Sequence, residues 1–272
     1  MRLFTKATAA KVGFALLLLA AGIYYGMSCS RDEPDRLYVS AINAAAKGNV
    51  ELAETLYKRI IKHYPNSSVR KDAMYRLGLL DYLYFNDYPI ALEEFFDLVY
   101  TYPRYRHTFD AYLYIARIYI EQQGMPQKGI EIYEKLLSTT TSSEGLKRLL
   151  PRLAMEYESV DNIPRATAMY RKLLGLYRKP PPNYLYEYAY LEYLAGHYSD
   201  ALRDFKHVSK VYPGTSYSVS AGIAMADCYE ETGRSEEALT LLDSLKSAYP
   251  TQTSIIDIKM QSIANRIKNK KK

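Results

Sequence analysis

An internal period of about 37 residues constrains this chain more than any other feature. Four segments align without gaps: "GNVELAETLYKRIIKHYP" (48–65), "NDYPIALEEFFDLVYTYP" (86–103), "GHYSDALRDFKHVSKVYP" (196–213) and "GRSEEALTLLDSLKSAYP" (233–250). Each opens on a turn, then carries an Ala, an aromatic or Leu four residues on, an aliphatic three later and a closing Tyr-Pro. Two looser copies, "GMPQKGIEIYEKLL" (124–137) and "NIPRATAMYRKLL" (162–174), lie between them. The small anchors are Ala53, Ala91, Gly129, Ala166, Ala201 and Ala238, spaced 38, 38, 37, 35 and 37. A period of that size, recurring in register, is the signature of a stacked repeat rather than of one globular core.

A second helical stretch precedes each copy, again with a small residue where two helices must touch. Tyr112, Ile115, Ala116 and Tyr119 fall at i, i+3, i+4 and i+7; Leu150, Leu153, Ala154 and Tyr157 repeat that spacing, and so do Gly222, Met225, Ala226 and Tyr229. Gly78 and Ala41 take the same place in the first two repeats. A small side chain at each crossing lets the axes approach to about 8–10 Å. The proline after the second helix cannot continue it and fixes the turn.

These residues resemble the tetratricopeptide repeat family over roughly 35–250. The resemblance implies an all-α, right-handed solenoid of about six helix pairs. "SIIDIKMQSIANRIKNK" (254–270), with Ile255, Ile258, Ile263 and Ile267, reads as a capping helix over the last apolar face. The spacing exceeds the family's usual 34, the third and fourth copies lack the closing proline, and no tryptophan occurs. The expected organisation is an N-terminal signal or anchor (1–29), repeats one to three (30–137), a Ser/Thr-rich loop (138–145), repeats four to six (146–250), and a cap with a basic tail (251–272). "RKPPPN" (178–183) reads as a stiff connector.

The chain holds 29 tyrosines. In "PPPNYLYEYAYLEYLAGHY" they fall at 184, 186, 188 and 190, the alternation of a half-buried strand. The repeat register overrules that reading, because Ala201 anchors the next helix and places a first helix at about 183–195, with Asn183 as N-cap and Gly196 ending it. At 100° per residue Tyr184, Tyr188 and Leu191 then share one face, and Tyr186, Tyr190 and Tyr193 a nearly opposite one. The second trio is the candidate ligand-facing ladder, with Tyr38, Tyr75 and Tyr82 in equivalent places; tight packing of the same rings is the competing reading. Arg117 is the basic groove candidate, and Asp227 and Glu230 make the far end acidic, a surface suited to a partly basic, apolar segment.

Net charge is +6, but residues 1–28 carry three basic side chains and 259–272 six, neither with an acid, so the body between holds −3. No basic stripe for nucleic acid is expected on such a body. Arg2, Lys6 and Lys11 precede the apolar run Val12–Met27, which predicts membrane insertion with the solenoid outside the cytoplasm. Three fates are open: an uncleaved anchor, removal by ordinary signal peptidase, or lipidation at Cys29. "GMSC" resembles a bacterial lipobox in Cys29 and Ser28 and departs from it at Gly26. Cys228, the other cysteine, is expected as a small buried residue.

Catalytic and metal-binding motifs are missing, and the four histidines are never paired at i, i+4. No enzyme, metal or cofactor is expected. The expected role is a membrane-tethered scaffold for protein partners in assembly of a cell-envelope complex on the periplasmic side. Residues 35–137 resemble outer-membrane-assembly lipoproteins of the BamD type, without their glycine- and aromatic-rich loop at "HYPNSS" (63–68). The repeat domain of the Tol–Pal-associated division coordinator is similar locally, but its coiled coil is missing here. An inner-membrane-anchored subunit of a secretion, pilus or motility machine, or a soluble secreted binding module, stays open beside this.

Overall fold

The computed structural model describes residues 33–270, and among them every regular element is helical. Two compact units are divided between Met125 and Pro126. The segment 1–29, with Cys29, and the last two lysines lie outside the described residues. Among the described residues no helix is long and apolar enough to cross a membrane.

The N-terminal unit runs through α1 (residues 33–46), α2 (Val50–His63), α3 (Arg70–Leu80), α4 (Tyr88–Thr101) and α5 (Thr108–Arg117). Helices α3 and α5 each continue into a π turn, Asp81–Phe85 and Ile118–Gln122. Each π turn takes in one more residue than an α turn, which is part of why this period is longer than 34. Asn49 and Asp87 cap α2 and α4, accepting from the Leu52 and Ile90 amides.

The C-terminal unit comprises α6 (Pro126–Thr139), α7 (Ser143–Ser159), α8 (Ile163–Leu174), α9 (Pro182–Leu194), α10 (Tyr198–Val211), α11 (Ser216–Glu231), α12 (Ser235–Ala248) and α13 (Thr253–Lys270). Three-residue turns at 47–49, 160–162, 195–197 and 232–234 each carry a left-handed residue in the middle: Gly48, Asp161, Gly196 and Gly233. Three of the four are glycine, which has no Cβ to oppose positive φ.

The repeat logic is visible in burial. Ala53, Ala91, Ala166, Ala201 and Ala238 are fully buried and Gly129 is buried. Tyr57, Phe95, Tyr133, Tyr170, Phe205 and Leu242, four residues later, fill the space beside them. Each such side chain contributes about 1.5–3 kcal/mol on burial. Ala41, Ala116, Ala154 and Ala226 at the opposing crossings are fully buried as well.

The Tyr-Pro closures have a specific purpose. Each hydroxyl reaches back some thirty residues to the start of its own repeat. Tyr64 meets the Glu33 carboxylate, and Tyr102 accepts from Arg70 Nη1 at 3.1 Å. Tyr212 donates to the Pro180 carbonyl. Tyr249 accepts from the Gly214 amide at 3.2 Å and bonds Ser218 Oγ at 2.9 Å. Tryptophan has an N–H donor but no acceptor and could not take the Tyr102 or Tyr249 bonds.

Three details differ from expectation. The Ser/Thr-rich loop at 138–145 shrinks to residues 140–142. Ser138, Thr139 and Thr140 bond back to the Lys135 and Leu136 carbonyls, and Ser142 Oγ caps α7 at Gly145 N, 3.1 Å. Asn183 is not the N-cap of α9: Pro181 holds that position and Pro182 starts the helix, where its missing N–H costs nothing. The apolar face of α13 is Ile256, Met260, Ile263 and Ile267 at i, i+4, i+7 and i+11, packed on Val219, Ala226 and Leu242, while Ile255 and Ile258 point outward.

Candidate functional site

Helix α9 settles the tyrosine question at the level of side chains. Tyr184 turns toward Tyr170 and Tyr177, with centroids at 6.3 and 6.2 Å, and Tyr188 toward Arg171, 3.4 Å from its hydroxyl. Tyr186, Tyr190 and Tyr193 share the other face with near-parallel rings, 6.3 Å and 6.1 Å apart; Tyr198 of α10 follows at 5.5 Å. The alternation is thus helical, and both faces are aromatic. All seven α9 positions from Leu185 to Leu191 except Ala189 and Leu191 are half-buried.

The ladder is not free-standing. Tyr186 leans on Phe205 at 5.4 Å and Tyr217 at 6.0 Å, and the row packs beside Phe205, Met225 and Cys228. Burial pushes the Tyr186 hydroxyl up to about 12, with Glu187, Tyr190 and Asp227 adding to it. The Tyr193 hydroxyl is raised to about 12 in the same way, helped by Asp227 and Glu231. Both therefore remain protonated and able to donate at any physiological pH. Cys228 is buried, its thiol pushed up to about 11 by that burial.

The acidic end is occupied from within the unit. Lys259 of α13 donates to Asp227 and, at 2.8 Å, to Glu230. Arg266 lies 3.4 Å from Glu230. With the Glu230 side chain only 7 % exposed, a basic partner group would have to compete with Lys259 there.

In the N-terminal unit the expected groove residues separate. Tyr38 stays half-buried with its ring 5.9 Å from Tyr57. Tyr75 is covered on one side by the stacked His107 ring at 4.4 Å. Tyr82 is a correction: at 8 % exposure it belongs to the core, set edge-on to Tyr88 and Tyr114, because the π turn rotates it inward. Arg117 is also spoken for, its Nε 2.8 Å from both Glu121 oxygens and its guanidinium 5.9 Å above the Tyr82 ring.

Three charged residues went unnoticed in the sequence. Arg76 lies in a hollow of about 300 Å³ between α1, α3 and the π turn. Asp81, the first residue of that turn, is buried, and its Oδ2 has no hydrogen-bond partner among the described residues. Glu192 is buried on the far side of α9, held by His197 Nδ1 at 2.7 Å and Arg171 Nη2 at 3.4 Å beside a polar hollow of about 440 Å³. A charge within an i, i+3, i+4, i+7 apolar run, as in Arg76-Leu79-Leu80-Leu83, was the available signal for the first. Among the described residues no group of His, Cys, Asp and Glu side chains could hold a metal ion.

Models described as tetratricopeptide repeat match residues 15–67, 110–139 and 192–258. The chain is similar in fold to a tetratricopeptide repeat protein from Parabacteroides merdae, with a TM-score of 0.55 at 16 % identity, covering 86 % of this chain and 93 % of that one. The C-terminal part of a repeat protein from Cytophaga hutchinsonii gives 0.59 at 14 % identity over 83 % and 84 %. YrrB, described as having an unusual peptide-binding site, gives 0.55 at 15 % identity over 75 % and 97 %. No curated protein matches the sequence.

Proposed function

The chain belongs to the tetratricopeptide repeat family, and from that premise we propose that it is a scaffold whose C-terminal unit grips a segment of a partner protein along the tyrosine ladder. The observation that carries this is the row Tyr186, Tyr190, Tyr193 and Tyr198, four half-buried rings in sequence along one surface. Tyrosine offers a large apolar area, a hydroxyl donor and few rotamers to freeze, which suits contact with a peptide. No catalytic step is proposed.

The membrane tether and an extracytoplasmic, envelope-assembly setting complete the reading. They are supported by Arg2, Lys6 and Lys11 ahead of the apolar run at 12–27. Lipidation at Cys29 or retention of that run would supply the anchor.

A photo-crosslinking amino acid at position 190 in cells, against a control at 188 on the opposite face, tests the ladder. Capture of a defined protein from 190 and not from 188 is expected. Equal capture from both, or none, would end this reading. The intact mass of membrane-extracted protein beside Cys29→Ala distinguishes the two anchors: a chain beginning at a lipidated Cys29, or an unprocessed one.

A further inference from the structure

Helix α13 carries apolar side chains on the side away from its packed stripe. Ile255 and Ile258 are 55 % and 69 % exposed, while Ile256 and Ile263 are fully buried against the C-terminal unit. A capping helix needs one apolar face and a polar outer one. At 100° per residue Ser254, Ile258, Gln261, Asn265 and Lys268 fall within one arc of about 80°. All five are exposed, and no acid is among them. Ile255 flanks the arc.

The charge along this helix is one-sided. Asp257 is taken by Lys246, and from Ile258 to Lys272 the sequence has six basic residues and no acid. Two of the six serve the fold: Lys259 bridges Asp227 and Glu230, and Arg266 lies against Glu230. The other four, Lys268, Lys270, Lys271 and Lys272, have no acid nearer in sequence than Asp257. One or two cations at a helix C-terminus are favoured by its dipole. Lys268 and Lys272, however, stand at i, i+4, a spacing at which like charges repel. A surface of opposite charge removes that repulsion.

We infer that the outward face of α13 rests on an anionic phospholipid surface, with Ile255 and Ile258 entering the headgroup boundary and Lys268, Lys270, Lys271 and Lys272 meeting lipid phosphates. Exposed apolar side chains beside acid-free lysines match the two layers of that boundary, and lysine stems reach along it while their ammonium groups stay hydrated. The four surplus cations are all lysine. None has the planar fork that arginine offers to a single carboxylate, so the charge suits a diffuse anionic surface better than an acidic protein. Each lysine near such a surface strengthens the contact about fivefold. The contact goes beyond the N-terminal tether proposed above: it holds the C-terminal unit, and with it the tyrosine ladder, at the membrane surface.

The test uses the membrane-extracted protein with an apolar diazirine amino acid at 258, or at the exposed Met155 position of α7 as control. It is reconstituted into vesicles of phosphatidylcholine, alone or mixed equally with phosphatidylglycerol, and irradiated. Lipid adducts are then measured by mass spectrometry. Adducts from 258 should rise at least about fivefold with phosphatidylglycerol and fall in high salt, while those from 155 stay at background. Lys268→Gln/Lys270→Gln/Lys271→Gln/Lys272→Gln should abolish the rise. Those lysines lie beyond Ile256 and Ile263, so hydrogen exchange over 253–263 should be unchanged, which separates lost contact from a lost cap. Equal adducts with both lipids, equal labelling from 155, or a Gln variant labelled like the wild type would overturn the inference. So would capture from 258, in cells, of an acidic protein in place of lipid. Flotation in high salt reads the tether separately. A chain that stays with the vesicles but gives no adduct from 258 keeps the tether and loses this contact. A chain that leaves them in high salt, after giving adducts in low salt, does the reverse.

Discussion

Gly78 sits so close to the Phe95 ring that a Cβ at residue 78 would come within 2.8 Å of Phe95 Cε1. Phe95 cannot step aside, since it is fully buried and stacked on Tyr114 at 5.3 Å. Helix α3 therefore crosses α4 on a glycine, despite the helix-propensity cost of about 1 kcal/mol.

Gly78→Ala should accordingly destabilise the N-terminal unit by about 1–3 kcal/mol even after the gain in propensity. Gly222 makes the sharper comparison. A Cβ there meets Leu245 Cδ1 and Cδ2 at 2.8 Å, the ends of a side chain that can change rotamer. Gly222→Ala should cost markedly less. Urea unfolding of both variants checks the order; equal losses would show that the Phe95 ring is free to move.

The crossing glycine illustrates what was legible in the sequence. Small residues at fixed spacing, and bulky ones four positions later, follow from the geometry of two helices in contact, so the anchors and the repeat count could be read directly. The π turns could not, because a π turn differs from an α turn by one residue and leaves the apolar period almost intact. That single residue moved Tyr82 into the core and turned Leu83 and Tyr84 outward. For Arg117 the sequence reading left out Glu121, which lies one turn on at i+4 and pairs with it on the exposed surface. On α13 the second half of the stripe, Ile263 and Ile267, packs as read, while Ile255 and Ile258 flank the buried Ile256 and drew the reading away from Met260.

Stability should fall as pH rises from about 4 to 7. Burial pushes the Asp81 carboxyl up to about 6, with Glu54 and Asp87 adding to it and Lys58 opposing. Burial likewise raises Glu94 to about 7, with Asp81, Asp97 and Glu93 contributing and Lys58 again opposing. Both groups bind protons more tightly folded than unfolded, so the folded state holds more protons across that window. Stability is then lost as pH climbs through it, the reverse of a salt-bridged carboxylate. Asp81→Asn should flatten the dependence and stabilise the chain at pH 8 by about 1 kcal/mol. Chemical denaturation at pH 5 and pH 8 measures both; a wild-type chain more stable at pH 8 would contradict the assignment.

The closing tyrosines should be unequal. Tyr102→Phe removes one bond, from an arginine that also donates to the Ile61 carbonyl, and should cost about 1 kcal/mol or less. Tyr249→Phe strips partners from the Gly214 amide and from the buried Ser218 hydroxyl together, which should cost about 1–3 kcal/mol. Thermal unfolding of the two variants decides it, and a Tyr102 loss exceeding that of Tyr249 would mean the hydroxyls do not fasten the repeats as described.

Lys259 holds the last helix to the acidic end of α11. Its side chain is 15 % exposed and bridges Asp227 and Glu230. Lys259→Met keeps the apolar stem but leaves Glu230 with Arg266 alone among the described residues, 3.4 Å away and 55 % exposed. Breaking a buried pair on one side strands the remaining charge, so a loss of roughly 2 kcal/mol or more is expected, concentrated in α13. Adding Glu230→Gln to Lys259→Met should restore much of it, since the stranded charge is then gone. Hydrogen exchange along 253–270 reports the effect locally. Faster exchange in the single variant and recovery in the double one would fit the bridge; unchanged exchange in both would show that Ile256 and Ile263 alone secure the cap.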